Sequence, residues 1–226
     1  MNDFEFFSPT RIIFGKDAIE KTGEAVKKCG ANKVLLHYGG TSVHKTGVLD
    51  RVKASLIASG VEVVELGGVQ PNPWLSLVYK GIDICRQEGV DLILPVGGGS
   101  AIDSAKAIAV GVPYQGDVWD FFKRTVPVKS ALPIGAVLTI PAAGSETSRS
   151  CVITREELKL KRDFDAEQVR PCFAVMDPQV TFTLPVNQTL YGAADIMAHV
   201  MERYFTTTEF ADLTDRLCEA TLKTII

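Results

Sequence analysis

Asp195 and His199 lie four residues apart in Gly192-Ala-Ala-Asp-Ile-Met-Ala-His199, and no further histidine follows through Ile226. On a helix, positions i and i+4 share a face, so the carboxylate and the imidazole point the same way. An oxygen and a nitrogen ligand so placed can hold two corners of a divalent-metal site. Two corners are an incomplete site, and the same pair also reads as an ordinary contact on a helix surface. A second cluster of chemistry is Gly97-Gly-Gly-Ser-Ala-Ile-Asp-Ser-Ala-Lys106, where three glycines join an apolar run to an Ala/Ile-rich helix. Bare backbone amides at a helix start bind anions, phosphate above all, and Ser100 adds a hydroxyl donor. The spacing is not the G-x-G-x-x-G fingerprint, and a tight turn needing positive φ is the alternative reading. Tyr38-Gly-Gly-Thr-Ser42 is a third. An acidic residue at such a strand end takes ribose hydroxyls, whereas here glycines, Thr41 and Ser42 would admit a 2′-phosphate, which favours NADP over NAD. Thr139-Ile-Pro-Ala-Ala-Gly-Ser-Glu-Thr147 suits a loop lining a cofactor, or any Ser/Thr-rich connection. Lys161, in Lys159-Leu-Lys-Arg162, is by default part of a solvated charge run; His37 and His44 read as structural or exposed.

The elements that must position these residues alternate. Strand patterns at Arg11–Gly15, Lys33–Tyr38, Val61–Leu66, Asp91–Val96, Pro133–Ile140 and Phe173–Met176 are separated by helical ones at Leu49–Ser59, Trp74–Glu88 and Ala101–Val110. That alternation predicts βαβ units, a Rossmann-like and mostly parallel sheet, and ligands at the carboxyl ends of its strands. The glycine breaks after Tyr38, Leu66 and Val96 all fall at that edge. From Pro185 onward only helical patterns remain, at Val186–Phe205 and Asp212–Ile226. We therefore expect an α/β dinucleotide-binding domain over 1–184 and the first helices of an all-helical metal-binding domain over 185–226.

The 226 residues are 46% hydrophobic and 23% charged, with a net charge of −3. This composition describes a globular protein with a sizeable core and argues against nucleic acid or an anionic membrane as partner. No run approaches the length of a spanning helix, and the N-terminus lacks a signal-peptide pattern, so a cytoplasmic location is expected. Five scattered cysteines without a Cys-x-x-Cys fit free thiols in a reducing compartment.

Taken in register, these blocks resemble the iron-containing (group III) alcohol dehydrogenases. The likeness runs from Phe6 to the end of the chain. It rests on Tyr38-Gly-Gly-Thr-Ser-Val-His-Lys-Thr-Gly-Val48, Pro71-Asn-Pro73, Gly97-Gly-Gly-Ser-x-x-Asp-x-x-Lys106, Thr139-x-Pro-x-x-Gly-Ser-Glu146, and Val175-Met-Asp-Pro through Pro185, Gly192, Asp195 and Glu202. The Tyr-Gly-Gly opening is most similar to the branch of NADPH-dependent butanol dehydrogenases and aldehyde reductases. The resemblance implies that Gly98, Gly99 and Ser100 hold a pyrophosphate with Asp103 nearby. It places Gly39, Gly40, Thr41 and Ser42 around the adenosine ribose and its 2′-phosphate, and Asn72, Thr139, Ser145, Thr147 and Lys161 along the cofactor. Asp195 and His199 match the first two ligands of a divalent metal, Fe(II) or Zn(II); the other two are histidines on later helices, beyond Ile226. The implied activity is hydride transfer between NADP(H) and a small alcohol or aldehyde, in a homodimer. The chain is then expected to be an N-terminal part of such an enzyme, binding nucleotide, holding metal weakly and turning over slowly, with Leu217, Leu222 and Ile226 uncovered and inviting self-association. The alternatives are a glycerol-dehydrogenase-like or dehydroquinate-synthase-like relative, and a non-catalytic nucleotide-binding module.

Overall fold

A computed structural model describes residues 3, 5–40 and 42–226, without the side chain of Ser42. Its centre is a six-stranded sheet in the order β3-β2-β4-β5-β8-β1. The strands are β1 (Arg11–Phe14), β2 (Lys33–Tyr38), β3 (Glu62–Leu66), β4 (Leu92–Gly97), β5 (Gly135–Leu138) and β8 (Phe173–Met176). Every pairing among them is parallel. Between them run α1 (Thr22–Lys28), a short α2 (Ser42–Lys45), α3 (Val48–Ala58), α4 (Leu75–Glu88), α5 (Gly99–Gly111) and a short α6 (Trp119–Phe122).

The apolar runs form central strands because both faces of the sheet are covered. Side chains alternate across a strand, and the core divides accordingly. Val34, Leu36, Leu92 and Leu94 pack on one side with Leu49, Val52 and Leu56 of α3. Leu35 and Ile93 pack on the other with Val78 and Ile82 of α4 and Ile108 of α5. Helix α4 starts at Leu75 after the extended Trp74 and ends at Gly89, whose φ of 65° is left-handed and suits glycine.

The sequence patterns did not show a hairpin, β6 (Ser150–Arg155) with β7 (Leu160–Asp165), paired antiparallel apart from the main sheet. It docks where the Thr154 amide donates to the Pro73 carbonyl at 2.8 Å. Its inner residue Phe164 closes on Phe122, ring centroids 4.9 Å apart, and Phe122 stacks on Trp119 at 5.1 Å. From Val186 the chain is helical, with α7 (Val186–Tyr204) and α8 (Asp212–Ile225). Leu217 and Ile226 are exposed, whereas Leu222 is half-buried. No helix among the described residues is long and apolar enough to cross a membrane.

Candidate functional site

Strand order locates the site. The chain leaves β2 for its neighbour β3, then returns to the opposite side of β2 to lay down β4. Connections diverging in this way open a crevice at the carboxyl ends of β2 and β4. Tyr38 is in register with Val96, so Gly39-Gly40 and Gly97-Gly98-Gly99 emerge side by side at that crevice. Thr139, just past β5, joins them, its amide donating to the Gly97 carbonyl at 3.1 Å.

At the start of α5 the amides of Ala101 and Ile102 both bond back to the Gly98 carbonyl, and no side chain caps the helix. Gly99 and Ser100, the first two residues of α5, have no intrahelical acceptor for their amides at this positive helix end. A methyl group added at Gly99 or Gly40 would meet no described atom within 4 Å. At Gly98, by contrast, it would lie 2.4 Å from Ile140 Cγ2. Gly98 is therefore needed for packing, and Gly99 opens onto free space of the kind a bound phosphate requires. Thr41 lies outside the described residues, and Ser42 is seen only as the first residue of α2.

Asn72 and Lys161, far apart in sequence, meet over the loop that follows β3. Lys161 Nζ donates to Asn72 Oδ1 at 2.9 Å. Lys161 is exposed, as the charge-run reading expects, and the hairpin carries it to this edge.

Asp103, Ser145 and Thr147 belong to a neighbouring group. They line, with His199, a cleft of about 1060 Å³ between α5, the 141–150 loop and α7. The glycine turns are not part of that cleft's wall. Their hydroxyls are already engaged: Ser145 donates to Asp103 Oδ1 at 2.7 Å, and Thr147 donates to the Gly144 carbonyl at 3.3 Å. Sequence reasoning gave Lys106 no role beyond its place in the motif. It is fully buried, and its Nζ donates to Ser145 Oγ at 2.9 Å and to the Ser150 carbonyl at 2.7 Å. Its ion pair with Asp103 is longer, 3.9 Å. Burial lowers the Lys106 pKa and raises that of Asp103, and the opposite charge of each partner offsets part of the effect. The i, i+3 spacing of Asp103 and Lys106 was the available signal.

His37 is buried, with Nδ1–H donating to the Leu66 carbonyl at 2.8 Å and the Ser104 hydroxyl donating to Nε2 at 2.8 Å. With both nitrogens committed it is a structural residue, and burial holds its pKa down at about 4.

Asp195 and His199 lie on one face of α7, Nε2 3.9 Å from Oδ1, each about half-exposed. Gly192, one turn earlier, lets α7 lie close against the 141–150 loop: a Cβ there would stand 2.7 Å from the Pro141 carbonyl oxygen. The close approach sets α7 along the cleft, whose wall includes His199. As donors, a carboxylate and an imidazole fit a divalent first-row ion. Among the described residues no group of three or more His, Cys, Asp or Glu side chains gathers there.

Comparison with known proteins bears on the family and the fold. The family model for iron-containing alcohol dehydrogenase matches residues 9–178. A probable NADH-dependent butanol dehydrogenase 2 of Bacillus subtilis is 47% identical over 100% of this chain and 58% of its own. The NADPH-dependent aldehyde reductase YqhD of Escherichia coli is 41% identical, again over 100% of this chain and 58% of its own. The crystal structure of NADH-dependent butanol dehydrogenase A from Thermotoga maritima superposes with a TM-score of 0.95 at 44% identity, covering 100% of this chain and 56% of that one. The chain thus spans somewhat over half the length of these relatives. With the parallel sheet, the glycine turns at its switch point and the α7 pair all in place, the chain belongs to the iron-containing alcohol dehydrogenase family.

Proposed function

We infer that this chain is the nucleotide-binding part, with the first two metal ligands, of an oxidoreductase acting on an alcohol/aldehyde pair. One observation carries the reading: two glycine turns abut at the β2/β4 switch point beside an uncapped helix start. In this account the Gly99 and Ser100 amides bind the pyrophosphate, and Gly98 brings the backbone close enough to do so. Gly39, Gly40, Thr41 and Ser42 surround the adenosine ribose. Asn72, braced by Lys161, and Thr139 orient the rest of the dinucleotide. The Asp103–Lys106–Ser145 network keeps the 141–150 loop in position, and Thr147 lines the wall next to it.

Asp195 and His199 would hold the divalent ion, Fe(II) or Zn(II), within the helical region that starts near Pro185. When bound, the nicotinamide supplies hydride and the ion supplies Lewis acidity at the substrate oxygen. The chain's own part is to orient both and to exclude water from the cleft. The five free thiols fit a reducing, cytoplasmic setting. Homodimer formation would use β1, an edge strand whose Ile12 and Phe14 are exposed.

NADP(H) is the favoured nucleotide because the residues that follow β2, Gly39 to Ser42, carry no carboxylate, and Gly39 and Gly40 leave room for a 2′-phosphate. The relatives' names run both ways, NADH-dependent for the butanol dehydrogenases and NADPH-dependent for the aldehyde reductase. Calorimetric titration decides the point. NADPH is expected to bind more tightly than NADH, and Gly39→Asp to narrow or reverse the preference. The substitution is sterically permitted, since a Cβ at Gly39 meets only the Val69 carbonyl oxygen at 3.6 Å. Equal affinities in the unmodified protein would remove the 2′-phosphate argument.

A further inference from the structure

Helix α4 begins without a local cap. Its first-turn amides need acceptors, and Trp74, in the cap position, offers no side-chain acceptor. The acceptor comes from 80 residues away, since the Ser76 amide donates to Glu156 Oε1 at 3.3 Å. Glu156 opens the short turn Glu156–Leu158 that links β6 to β7. Two more contacts tie the hairpin to the same segment: the Thr154 amide donates to the Pro73 carbonyl at 2.8 Å, and Lys161 Nζ to Asn72 Oδ1 at 2.9 Å. Thr154 and Lys161 stand opposite each other in the hairpin's register, so one rung grips Asn72 and Pro73 while the turn beyond it holds α4. The hairpin is itself anchored, Phe164 against Phe122 and the Arg155 guanidinium 5.9 Å from the centre of the Trp119 ring. Asn72 has a φ of 56°, in the left-handed region that residues with a side chain enter at a cost. Burial raises the Glu156 pKa, but hydrogen bonds from Ser76 and from the backbone of Glu156, Ser76 and Leu75 outweigh it and leave the pKa below the ordinary value. The carboxylate is therefore charged at neutral pH, as the positive end of α4 favours.

We propose that Glu156 is a positioning residue for the nucleotide site: by capping α4 from the hairpin it fixes the segment from Asn72 to Ser76 and holds the Asn72 amide ready for the dinucleotide. The inference rests on the reading of Asn72 as a dinucleotide contact. Lys161 occupies Oδ1, which leaves the Nδ2–H group as what Asn72 offers, a donor suited to an acceptor oxygen of the dinucleotide. Glu156 itself touches no nucleotide and acts through the backbone. Without it, the start of α4 loses both an acceptor and a countercharge. The first turn then frays, and Asn72 relaxes from its left-handed conformation toward commoner ones. Held in place beforehand, the amide spares the ligand the ordering it would otherwise impose on binding.

The test measures NADPH affinity by calorimetry, well below each thermal midpoint, for the unmodified chain, Glu156→Ala, Glu156→Gln, Asn72→Ala and the double variant Glu156→Ala/Asn72→Ala. Glu156→Ala is expected to weaken binding about 3–10-fold, the worth of one hydrogen bond, and Glu156→Gln, which keeps the acceptor, by less. In the Asn72→Ala background, Glu156→Ala should have no further effect, because the group it positions is gone. A residue that merely supports the fold would weaken binding equally in both backgrounds. That result overturns the proposal, as does unchanged affinity in Glu156→Ala or in Asn72→Ala. If Glu156→Ala fails to fold, Glu156→Gln carries the same comparison: a loss that vanishes in the Asn72→Ala background supports the proposal, and an equal loss or no loss in both backgrounds overturns it. Failure of the unmodified, folded chain to bind NADPH or NADH is a distinct result, which removes the reading of the crevice and the proposal with it.

Discussion

Replacing Lys106 by Met tests how the polar network behind the cleft is held together. The Lys106 side chain is 0% exposed and that of Asp103 17%, so solvent screens their interaction little. The methionine keeps the stem's packing but removes a 2.9 Å bond to Ser145 and a 2.7 Å bond to the Ser150 carbonyl. It also leaves Asp103 buried without its countercharge. Breaking a buried pair in this way costs about 3–5 kcal/mol. The lost hydrogen bonds are part of the same network and do not add in full. The 3.9 Å separation places the pair at the weak end, so we expect about 3 kcal/mol, or roughly 6–12 °C in thermal midpoint for a chain of this size. Asp103→Asn keeps an acceptor for the Val152 amide, which lies 3.3 Å from Oδ2, and removes the charge. Urea unfolding of the protein, both single variants and the double variant gives the coupling. The double variant should cost at least ~1 kcal/mol less than the sum of the singles. Additive singles, or a Lys106→Met cost below ~1 kcal/mol, would refute the argument.

Gly98→Ala should destabilise by about 1–3 kcal/mol through overpacking against Ile140, while Gly99→Ala should leave stability within about 0.5 kcal/mol yet weaken dinucleotide binding. Paired denaturation and binding curves check both, and a stable Gly98→Ala would contradict the packing role. Gly192→Ala should push α7 off the Pro141 carbonyl and weaken Co(II) or Zn(II) binding to the full-length protein several-fold, read by absorption or calorimetry; unchanged metal affinity would count against the seating role. His37 carries a pH prediction. Its folded pKa of about 4 lies below the ordinary 6.5, so the unfolded chain binds more protons between those values. Stability from this group is complete above pH 6.5 and is lost as pH falls toward 4, by about 3 kcal/mol in all. The stability gap between the unmodified protein and His37→Asn should narrow from pH 7 to pH 4.5, and a constant gap would sink the assignment.

Much of this was legible in the sequence because parallel strands buried on both faces leave unbroken apolar runs. Lys33–Tyr38 and Asp91–Val96 are found as β2 and β4 within a residue, and the break at Pro185 coincides with the start of α7. The glycine turns were legible for the same reason, since they interrupt those runs at one edge. The β6–β7 hairpin was not. Only one of its faces is buried, through Cys151, Ile153 and Phe164, and its outer face is a run of charge. Without the hairpin, Lys161 had no visible route to Asn72. Lys106 was hidden for another reason: lysine is almost never fully buried, so sequence alone gives it to solvent.

The central claim is that the glycine turns at the β2/β4 switch point hold a nicotinamide dinucleotide. Amide chemical-shift mapping during titration with NADPH tests it most directly. The account predicts saturable changes centred on Gly39, Gly40, Gly98, Gly99 and Ser100, reaching Asn72 and Thr139. Saturable binding with shifts confined to other surfaces, or no binding at all by a folded chain, would contradict it.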